Sequence, residues 1–593
     1  MTRSVVGLYR SVGMPTLLVF VAIVGQALPV RAHGRRDSGL GGYEQEAVDE
    51  VLKRRKLTVD AEPDGKRIGE IHIVNLSVFG SNTGWLKVFN RLHRETLVST
   101  MRRELLVHRG ERWDKTRILE SERILRNPQM SSFVVIMPVR STEMGTVDLL
   151  IVTRDVWSLR PNSEFVYEGG QFTFLQVSAA ESNLLGRRKH VSLIFEMDQG
   201  QYSLSGQWRD LNVLGKRWQF ATKPGLILGR ATNKLEGSES VTSVVYPLWS
   251  LASKWGVALN ASHRDSISRT YLGQDLATYD APETVEIEQV PQEFRQRDLA
   301  MRSEVQRSFS SAYKHNLSFG HEFLLSRPRH LRRLQASDQL AQSFARDLFP
   351  RSERSSALTA NYDFFEARFV TYRDIDGFDL PEVEVVGPSL TVDLALALRA
   401  LGSEKGFLRQ RIRAGYRLDF RAEAFADIGI SLGRRIERNN GALASKDVEY
   451  GATWFAATPV LPGSIRLVTS GAASFNTNVE ENRIILLGGQ GDLRGYPVGS
   501  FSGTSFVRGS LEVRSLPYEL SFLRVGYLAF WDAGHAANRP SDLTLRHNVG
   551  IGLKALIPQL GEGLSFLYWA VPLETQIGKF PGRISLGFEH ALE

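Results

Sequence analysis

The sequence predicts a mainly β protein, a transmembrane antiparallel β-barrel of about 16 strands preceded by a small α+β domain. Three observations lead to this fold class. Residues 165 to 593 repeat stretches of about eight to twelve residues in which apolar and polar side chains alternate. The polar side of these stretches is heavily charged, and residues 68 to 160 show a separate β-α-α-β-β pattern.

The N-terminus has the pattern of an export signal. Arg3 and Arg10 are basic, residues 14–24 are almost wholly apolar, and residues 30–32 offer small side chains for cleavage. The apolar run is shorter than the roughly 20 residues that a helix needs to cross a bilayer. We therefore expect residues 1–32 to be a signal peptide and the mature protein to be exported.

Composition excludes several classes of chemistry. The 593 residues include no cysteine, which rules out a disulfide framework, a thiol nucleophile and a thiolate metal site. Past the signal we find no apolar run of 18 residues or more, so a membrane could be crossed only by a closed barrel. The net charge of +8 is dispersed along the chain and no nucleic-acid motif accompanies it. We predict no cofactor, no metal and no nucleic-acid partner.

The segment ahead of the predicted barrel divides in two. Residues 33–67 are expected to form a lead-in with one helix, Glu44 to Arg55. In residues 68–160, a β-rich run at 71–76 precedes two stretches of helical periodicity and two further β-rich runs. This order predicts a compact sheet with two helices on one face.

The alternation that predicts the barrel is clearest between Arg411 and Glu423. The odd positions there are charged or glycine, whereas the even positions are apolar or alanine. The run is long enough for a tilted membrane strand. A soluble β-sandwich also alternates, but strand length, the charged face and aromatic residues near strand ends favour the barrel. Asp265–Asp298 and Arg327–Arg354 break the pattern and are predicted to be long extracellular loops.

Four motifs follow one another in the C-terminal third. They are GGQGDLRGY at 488–496, SLEVR at 510–514, FWDAG at 530–534 and VGIGL at 549–553. In this order they resemble the Omp85 superfamily of outer-membrane barrels, of the surface antigen D15 type with BamA-like and TamA-like members. Residues 68–160 are similar to the polypeptide-transport-associated (POTRA) module that precedes such barrels.

The resemblance implies a loop that folds from outside into the lumen. It would carry Leu493, Arg494, Gly495 and Tyr496, with Glu512 and Asp532 as partners of the arginine, and the motif strands would present Phe530, Gly534, Gly550 and Gly552. Strand parity independently places Glu512 and Asp532 on the polar face. A guanidinium between two carboxylates makes charge-assisted hydrogen bonds, and Gly495 would allow a tight turn at the loop tip.

The resemblance also implies a client-binding strand. Ile71, Ile73 and Leu76 lie on the first strand of the POTRA-like domain, whose edge could pair with an extended polypeptide. Two features depart from the family pattern. Only one such module is visible, and the chain ends without a terminal aromatic, so Phe588 would be the substitute.

We therefore expect an outer-membrane protein that inserts or translocates polypeptides, with its N-terminal domain in the periplasm. Its partners would be the lipid bilayer, an unfolded polypeptide client and other outer-membrane assembly factors. A passive porin or surface antigen is the alternative. An enzyme is not expected, because Gly499–Gly503 has phenylalanine where a nucleophile elbow needs serine, and the 12 histidines lack zinc-site spacing.

Overall fold

The structure of the protein is a computed structural model. It describes residues 40–79, 88, 90–91, 93–127, 130–168, 171–272, 275–281, 289–310, 312–331, 338–375, 378, 382–420, 423–439, 441–479, 485–489, 492–497, 499–520, 523–557, 564–574 and 582–589. The predicted signal peptide lies outside these residues. Two units are present, an N-terminal α+β domain and a closed barrel.

The N-terminal domain is a three-stranded sheet. Its strands are β1 (Arg67–Leu76), β2 (Ser131–Arg140) and β3 (Thr146–Asp155), in the order β1-β3-β2. Strand β1 is parallel to β3, and β2 is antiparallel to it. Helices α2 (Val98–Arg102) and α3 (Lys115–Leu125) follow β1 in the chain. Asp114 caps α3, because its carboxylate accepts from the backbone N–H groups of Thr116 and Arg117.

One sheet face packs against α2 and α3. Met101, Leu105 and Leu125 from this helical layer contact Val134 and Ile151 of the sheet, and all five are buried. The β-α-α-β-β order and the helices on this face agree with the pattern read from the sequence.

The opposite sheet face is covered by a third helix. Helix α1 (Gly42–Arg55) buries Ala47, Val48 and Val51 against inward side chains that include Phe133 and Leu150. Further along, the backbone N–H of Asp60 donates to Pro138 O of β2 at 3.1 Å. The segment expected to be only a lead-in is therefore an integral layer of the domain. The expectation was wrong because the apolar stripe of α1 is built largely from small residues.

The barrel has twenty strands in the described part of the chain. The first ten are β4 (Leu159–Glu168), β5 (Gln171–Glu181), β6 (Lys189–Met197), β7 (Gln201–Asp210), β8 (Gln219–Gly229), β9 (Leu235–Tyr246), β10 (Trp255–Arg269), β11 (Glu293–Phe309), β12 (Tyr313–His330) and β13 (Glu353–Glu366, continued by Arg368–Tyr372). The others are β14 (Glu382–Ala397), β15 (Phe407–Phe420), β16 (Ala424–Asn439), β17 (Ala442–Ala457), β18 (Ile465–Thr477), β19 (Ser505–Ser515, continued by Tyr518–Leu520), β20 (Leu523–Ala537), β21 (Arg546–Leu556), β22 (Leu564–Pro572) and β23 (Arg583–Glu589).

Each strand pairs with its neighbour in the sequence, and β23 lies beside β4, so the sheet closes. The prediction of about 16 strands was too low. It assumed a spacing of roughly 25 to 30 residues per strand, but several hairpins are much tighter, as between Asn439 and Ala442. The barrel also starts at Leu159, ahead of the predicted boundary at 165.

The alternation of side chains divides the barrel wall into two faces. On β20, Tyr527 and Trp531 point outward and are exposed, whereas Leu528, Phe530 and Asp532 point inward and are buried. The outward face carries large apolar side chains on successive strands, among them Ile430, Tyr450, Leu511, Ile551 and Trp569. A closed sheet with an apolar exterior leaves its backbone hydrogen bonds satisfied within the wall.

We call the barrel end that carries the N-terminal domain the proximal end, and the other the distal end. The longest loops of the barrel lie at the distal end. One includes the short strands Tyr271–Leu272, Asp275–Leu276, Thr278–Tyr279 and Val290–Pro291, and another carries helix α4 (Asp338–Leu348). The two segments predicted as whole loops in fact begin and end within strands, because β10 runs to Arg269 and β12 to His330. Among the described residues, no helix has the length and apolar character to span a membrane.

Candidate functional site

The candidate site is a distal loop that enters the barrel lumen. It joins β18 to β19, and a short strand pair, Ile485–Leu487 with Phe501–Gly503, stands at its base. At the tip, the N–H of Tyr496 donates to Leu493 O at 3.0 Å, which closes a turn. Leu493 and Tyr496 are both fully buried in one apolar cluster with Leu487, Phe501 and Ala536. This packing anchors the turn that presents Arg494.

The guanidinium of Arg494 lies between the two predicted acids. Its Nε donates to Asp532 Oδ2 at 3.0 Å and its Nη2 to Asp532 Oδ1 at 2.6 Å, a bidentate pair. Its Nη1 donates to Glu512 Oε1 at 2.7 Å. Nη2 also donates to the hydroxyl of Ser510 at 2.9 Å. The structure thus brings Arg494, Glu512 and Asp532 together, one from the loop and one each from β19 and β20.

Burial makes these contacts strong. Arg494 is 6% exposed, Glu512 7% and Asp532 0%. The Arg494 backbone N–H also donates to Asp532 Oδ2 at 3.3 Å, and the Ser510 hydroxyl donates to Asp532 Oδ1 at 2.8 Å. Arg514 donates from Nε to Glu512 Oε2 at 2.6 Å. Both acids are therefore compensated by opposite charge and by hydrogen bonds, as buried carboxylates require.

Aromatic rings complete the site. The Arg494 guanidinium carbon lies 3.5 Å from the ring centre of Phe530 and 5.2 Å from that of Tyr568. A Cβ on Gly550 would lie 2.3 Å from Phe530 Cζ, and one on Gly552 would lie 2.3 Å from Tyr568 Cδ1. The motif glycines of β21 therefore make room for the inward rings of the flanking strands.

The other two motif glycines have similar roles. A Cβ on Gly534 would lie 2.8 Å from Val507 O of β19. A Cβ on Gly495 would lie 2.6 Å from Asn548 Cβ and 3.1 Å from Pro572 N. Gly495 lies in the tight turn that the Tyr496–Leu493 hydrogen bond closes, as expected, but it is not among the residues with positive φ, so the turn itself does not demand glycine. Glycine is required there because the loop packs directly on β21 and β22.

The loop also reaches the strands next to the barrel closure. The Tyr496 hydroxyl donates to His547 O at 3.0 Å and contacts the Glu574 carboxylate. Arg583 of the last strand donates from Nη1 to Tyr496 O at 2.9 Å. Together with the Arg494 contacts, these bonds connect one loop to strands β19 to β23.

Comparison with solved structures finds other barrels at low similarity. CdiB from Escherichia coli is 12% identical, with 95% of this chain and 90% of that chain covered and a TM-score of 0.41. CdiB from Acinetobacter baumannii is 11% identical, with 92% and 97% covered and a TM-score of 0.38. BamA from Haemophilus ducreyi lacking POTRA domains 1–3 is 13% identical, with 94% of each chain covered and a TM-score of 0.35. No family model and no curated protein matches the chain.

The predicted client-binding strand lies at a sheet edge. In the sheet of the N-terminal domain, β1 pairs with β3 and is an edge strand. The segment at Gly110–Arg112 covers the start of its other edge, since Gly110 N donates to Ile68 O at 2.8 Å. Ile71 and Ile73 face the α2–α3 side, and Leu76 packs with the α1 side. Within the described residues, the edge from Ile71 to Leu76 pairs with no further strand.

A second polar cluster holds the domain to the barrel. His93 contacts the Ser158 hydroxyl at 3.1 Å and Asp155 Oδ2 at 3.3 Å, in the manner of a Ser-His-Asp triad. The Ser158 residue is 1% exposed, and Asp155 also accepts from the backbone and side chain of Thr96. The side chains of His93 and Asp155 are 2% and 1% exposed, so the cluster lies inside the protein. We interpret the cluster as a structural joint between β3 and β4.

Sequence reasoning missed several partners of the site. Ser510 could have been found, because it shares the inward parity of Glu512. Tyr568, Glu574 and Arg583 carry no sequence signal, since their contacts depend on how β21 to β23 fold back beside the loop. No group of three or more potential metal ligands occurs among the residues that the structure describes.

Proposed function

We propose that this protein resides in the outer membrane and inserts or translocates polypeptides there, without enzymatic activity. The observation that carries the proposal is the Arg494 loop. The loop brings an ion-paired guanidinium into the lumen of a closed barrel, and its residues together contact the last five strands. A passive pore needs an open lumen, whereas a device that admits a client needs an internal element that can be released.

The barrel closure supports a lateral route for the client. Within the part of the chain that the structure describes, the last strand, β23, has 7 residues and β22 has 9, whereas β12 has 18. Fewer residues at the closing edge allow fewer interstrand hydrogen bonds, so β23 and β4 separate more easily than central pairs. Because Arg583 of β23 donates to Tyr496 O, the loop would stabilise the closed edge.

The N-terminal domain supplies a place for the client to bind. The edge of β1 from Ile71 to Leu76 offers backbone donors and acceptors to an extended chain. A strand added there would bind through its backbone, and therefore with little dependence on its sequence.

The test is site-specific photo-crosslinking in native outer membranes. Crosslinkers replace Ile73 on β1 and Asp492 beside the loop arginine, and a third at Met144, 96% exposed in the β2–β3 turn, is the control. We expect adducts with unfolded barrel precursors or one secreted client at Ile73 and Asp492 but not at Met144. Adducts only within the protein itself, with a steady conductance that does not change in Arg494→Gln, would establish a passive pore instead.

A further inference from the structure

A second internal element enters the barrel from the proximal end. Four described residues of the turn between β13 and β14, Arg373, Asp374, Ile375 and Phe378, form what we call the inner strap. Ile375 is 4% exposed and Phe378 is 7% exposed. Apolar side chains at the tip of a hairpin are ordinarily solvated, so burial of both requires the turn to fold back onto the wall.

Ile375 packs on the inward face of the neighbouring strands. Its cluster contains Val386 of β14, Phe425 of β16, Ala457 of β17 and Val468 of β18, all buried. The N–H of Ile375 donates to Glu382 Oε1 at 3.1 Å, which fixes the turn at the start of β14. The strap therefore covers the proximal part of the wall from β14 to β18.

Phe378 extends the strap to the next strands. A Cβ on Gly526 of β20 would lie 2.7 Å from Phe378 Cζ, so the ring rests directly on that glycine. Arg524 donates to Phe378 O at 3.4 Å, and Arg514 donates from Nη1 to Ile375 O at 2.6 Å. Because Arg514 also donates to Glu512, the strap is one residue removed from the acid that binds Arg494.

The other end of the strap is tied to the N-terminal domain. Arg373 forms an ion pair with Glu44 in the first turn of α1, and the two side chains are 13% and 1% exposed. Glu44 also accepts from the N–H of Gly41 at 3.1 Å. Removing one partner of an ion pair this buried strongly destabilises the fold, because the other charge is left uncompensated. Displacement of α1 therefore removes one anchor of the strap.

We propose that the inner strap is a conformational coupling device. With the Glu44–Arg373 pair intact, the strap closes the β14–β20 side of the proximal mouth and holds Arg514 against Glu512. When the N-terminal domain swings away, Arg373 is released, the strap leaves the wall, and the Arg494 site loses one of its supporting charges. The position of the domain then determines both the width of the lumen and the stability of the distal loop.

The test uses the absence of native cysteine. A single Val468→Cys substitution places a reporter thiol beneath Ile375, at a position that is 2% exposed, and Met144→Cys is the freely accessible control. Full-length protein in lipid vesicles is treated with a hydrophilic maleimide. We expect slow modification of the reporter thiol, accelerated at least about tenfold by Glu44→Gln, because one partner of a buried pair is removed. Gln keeps an acceptor for Gly41, so the start of α1 is preserved.

Three further measurements make the result decisive. The charge swap Glu44→Lys with Arg373→Glu should restore slow modification, and Arg413→Gln, at a lumen pair distant from the strap, should leave the rate unchanged. Glu44→Gln should also raise the small-ion conductance of the barrel. Rapid modification of the reporter thiol in the otherwise unchanged protein would overturn the placement of the strap. If Glu44→Gln leaves the modification rate of the reporter thiol unchanged, while the variant still migrates as a folded barrel on unheated gels, the proposed coupling is overturned.

Discussion

Replacement of Arg494 by glutamine removes one guanidinium and leaves two buried carboxylates facing each other. The hydrogen bonds lost are those to Asp532 at 2.6 and 3.0 Å, to Glu512 at 2.7 Å and to Ser510 at 2.9 Å. Removing one partner of a buried pair costs about 3–5 kcal/mol, mostly because the remaining charge is uncompensated. We expect Arg494→Gln to lower the free energy of unfolding by that amount.

Two comparison variants separate the cause from a general effect of lost charge. Arg413 pairs with Asp393 on the same lumen wall at 2.8 Å, but the arginine side chain is 49% exposed. Arg413→Gln should therefore cost no more than about 1 kcal/mol. Arg494→Lys keeps the charge but replaces the planar fork by a point donor. Its stability should fall between those of the wild type and Arg494→Gln.

The assay is urea unfolding of the barrel in detergent, followed by the loss of the compact form on unheated gels. Neutralising the acid that loses its cation supplies the internal check. Glu512 keeps its hydrogen bond from Arg514, whereas the fully buried Asp532 loses the guanidinium that compensates its charge. Arg494→Gln combined with Asp532→Asn should therefore be more stable than Arg494→Gln alone, because the uncompensated buried carboxylate is removed. If the double variant is no more stable than the single one, or if Arg413→Gln costs as much as Arg494→Gln, the electrostatic account of the site is refuted.

The remaining predictions concern packing, orientation and the N-terminal domain. Gly495→Ala should destabilise the barrel by about 1–3 kcal/mol through overpacking on Asn548, whereas Gly206→Ala, where a Cβ meets nothing within 4 Å, should have little effect on the same gels. Ile430→Arg places a charge on the outward face and should lower the free energy of unfolding by about 2–4 kcal/mol if that face contacts lipid. The yield of folded protein in membranes should therefore fall for Ile430→Arg. It should not fall for Thr453→Arg, because Thr453 is at an exposed inward position. The Lys66 ammonium, which donates to Asp60 at 2.6 Å, lowers the pKa of the Asp60 carboxyl. The ion pair therefore stabilises the folded domain above the unfolded pKa of 3.8, and this stabilisation is lost as the pH falls through the folded pKa. Asp60→Asn should therefore shift the unfolding of the N-terminal domain at pH 7 but not in acid well below that range, and an equal shift at both would contradict the assignment.

The sequence predicted side-chain orientation correctly, because the alternation of residues along a strand alone decides which side of the wall each one faces. Inward or outward orientation follows from parity alone, so Glu512 and Asp532 could be assigned to one side of the wall before any coordinates were known. The structure places both there, within reach of Arg494. Contacts between distant segments have no such local signal. The inner strap is an example, since nothing in the sequence near Ile375 shows that it packs on Phe425 and Val468.

The predictions of the strand number and of the role of α1 were wrong, each for its own physical reason. An average spacing cannot reveal that the hairpins at Glu168–Gln171 and Leu520–Leu523 are very tight, so the count of strands was too small. Helix α1 has an apolar stripe of alanine and valine, which gives a weak periodic signal. The structure shows that these small side chains pack in one buried cluster with Phe133 and Leu150 of the sheet.

The spacing of the site along the chain has a consequence for folding. Arg494 meets its partners at separations of 16, 18 and 38 residues, whereas closure joins β4 to β23, which begin at residues 159 and 583. Contacts at short separation have a smaller loop-closure entropy to overcome and form sooner. The C-terminal hairpins should thus collapse around the guanidinium as an early nucleus, and the two chain-terminal edges of the sheet should meet last. The arginine would then serve the protein before any client arrives, as the template on which its final strands assemble.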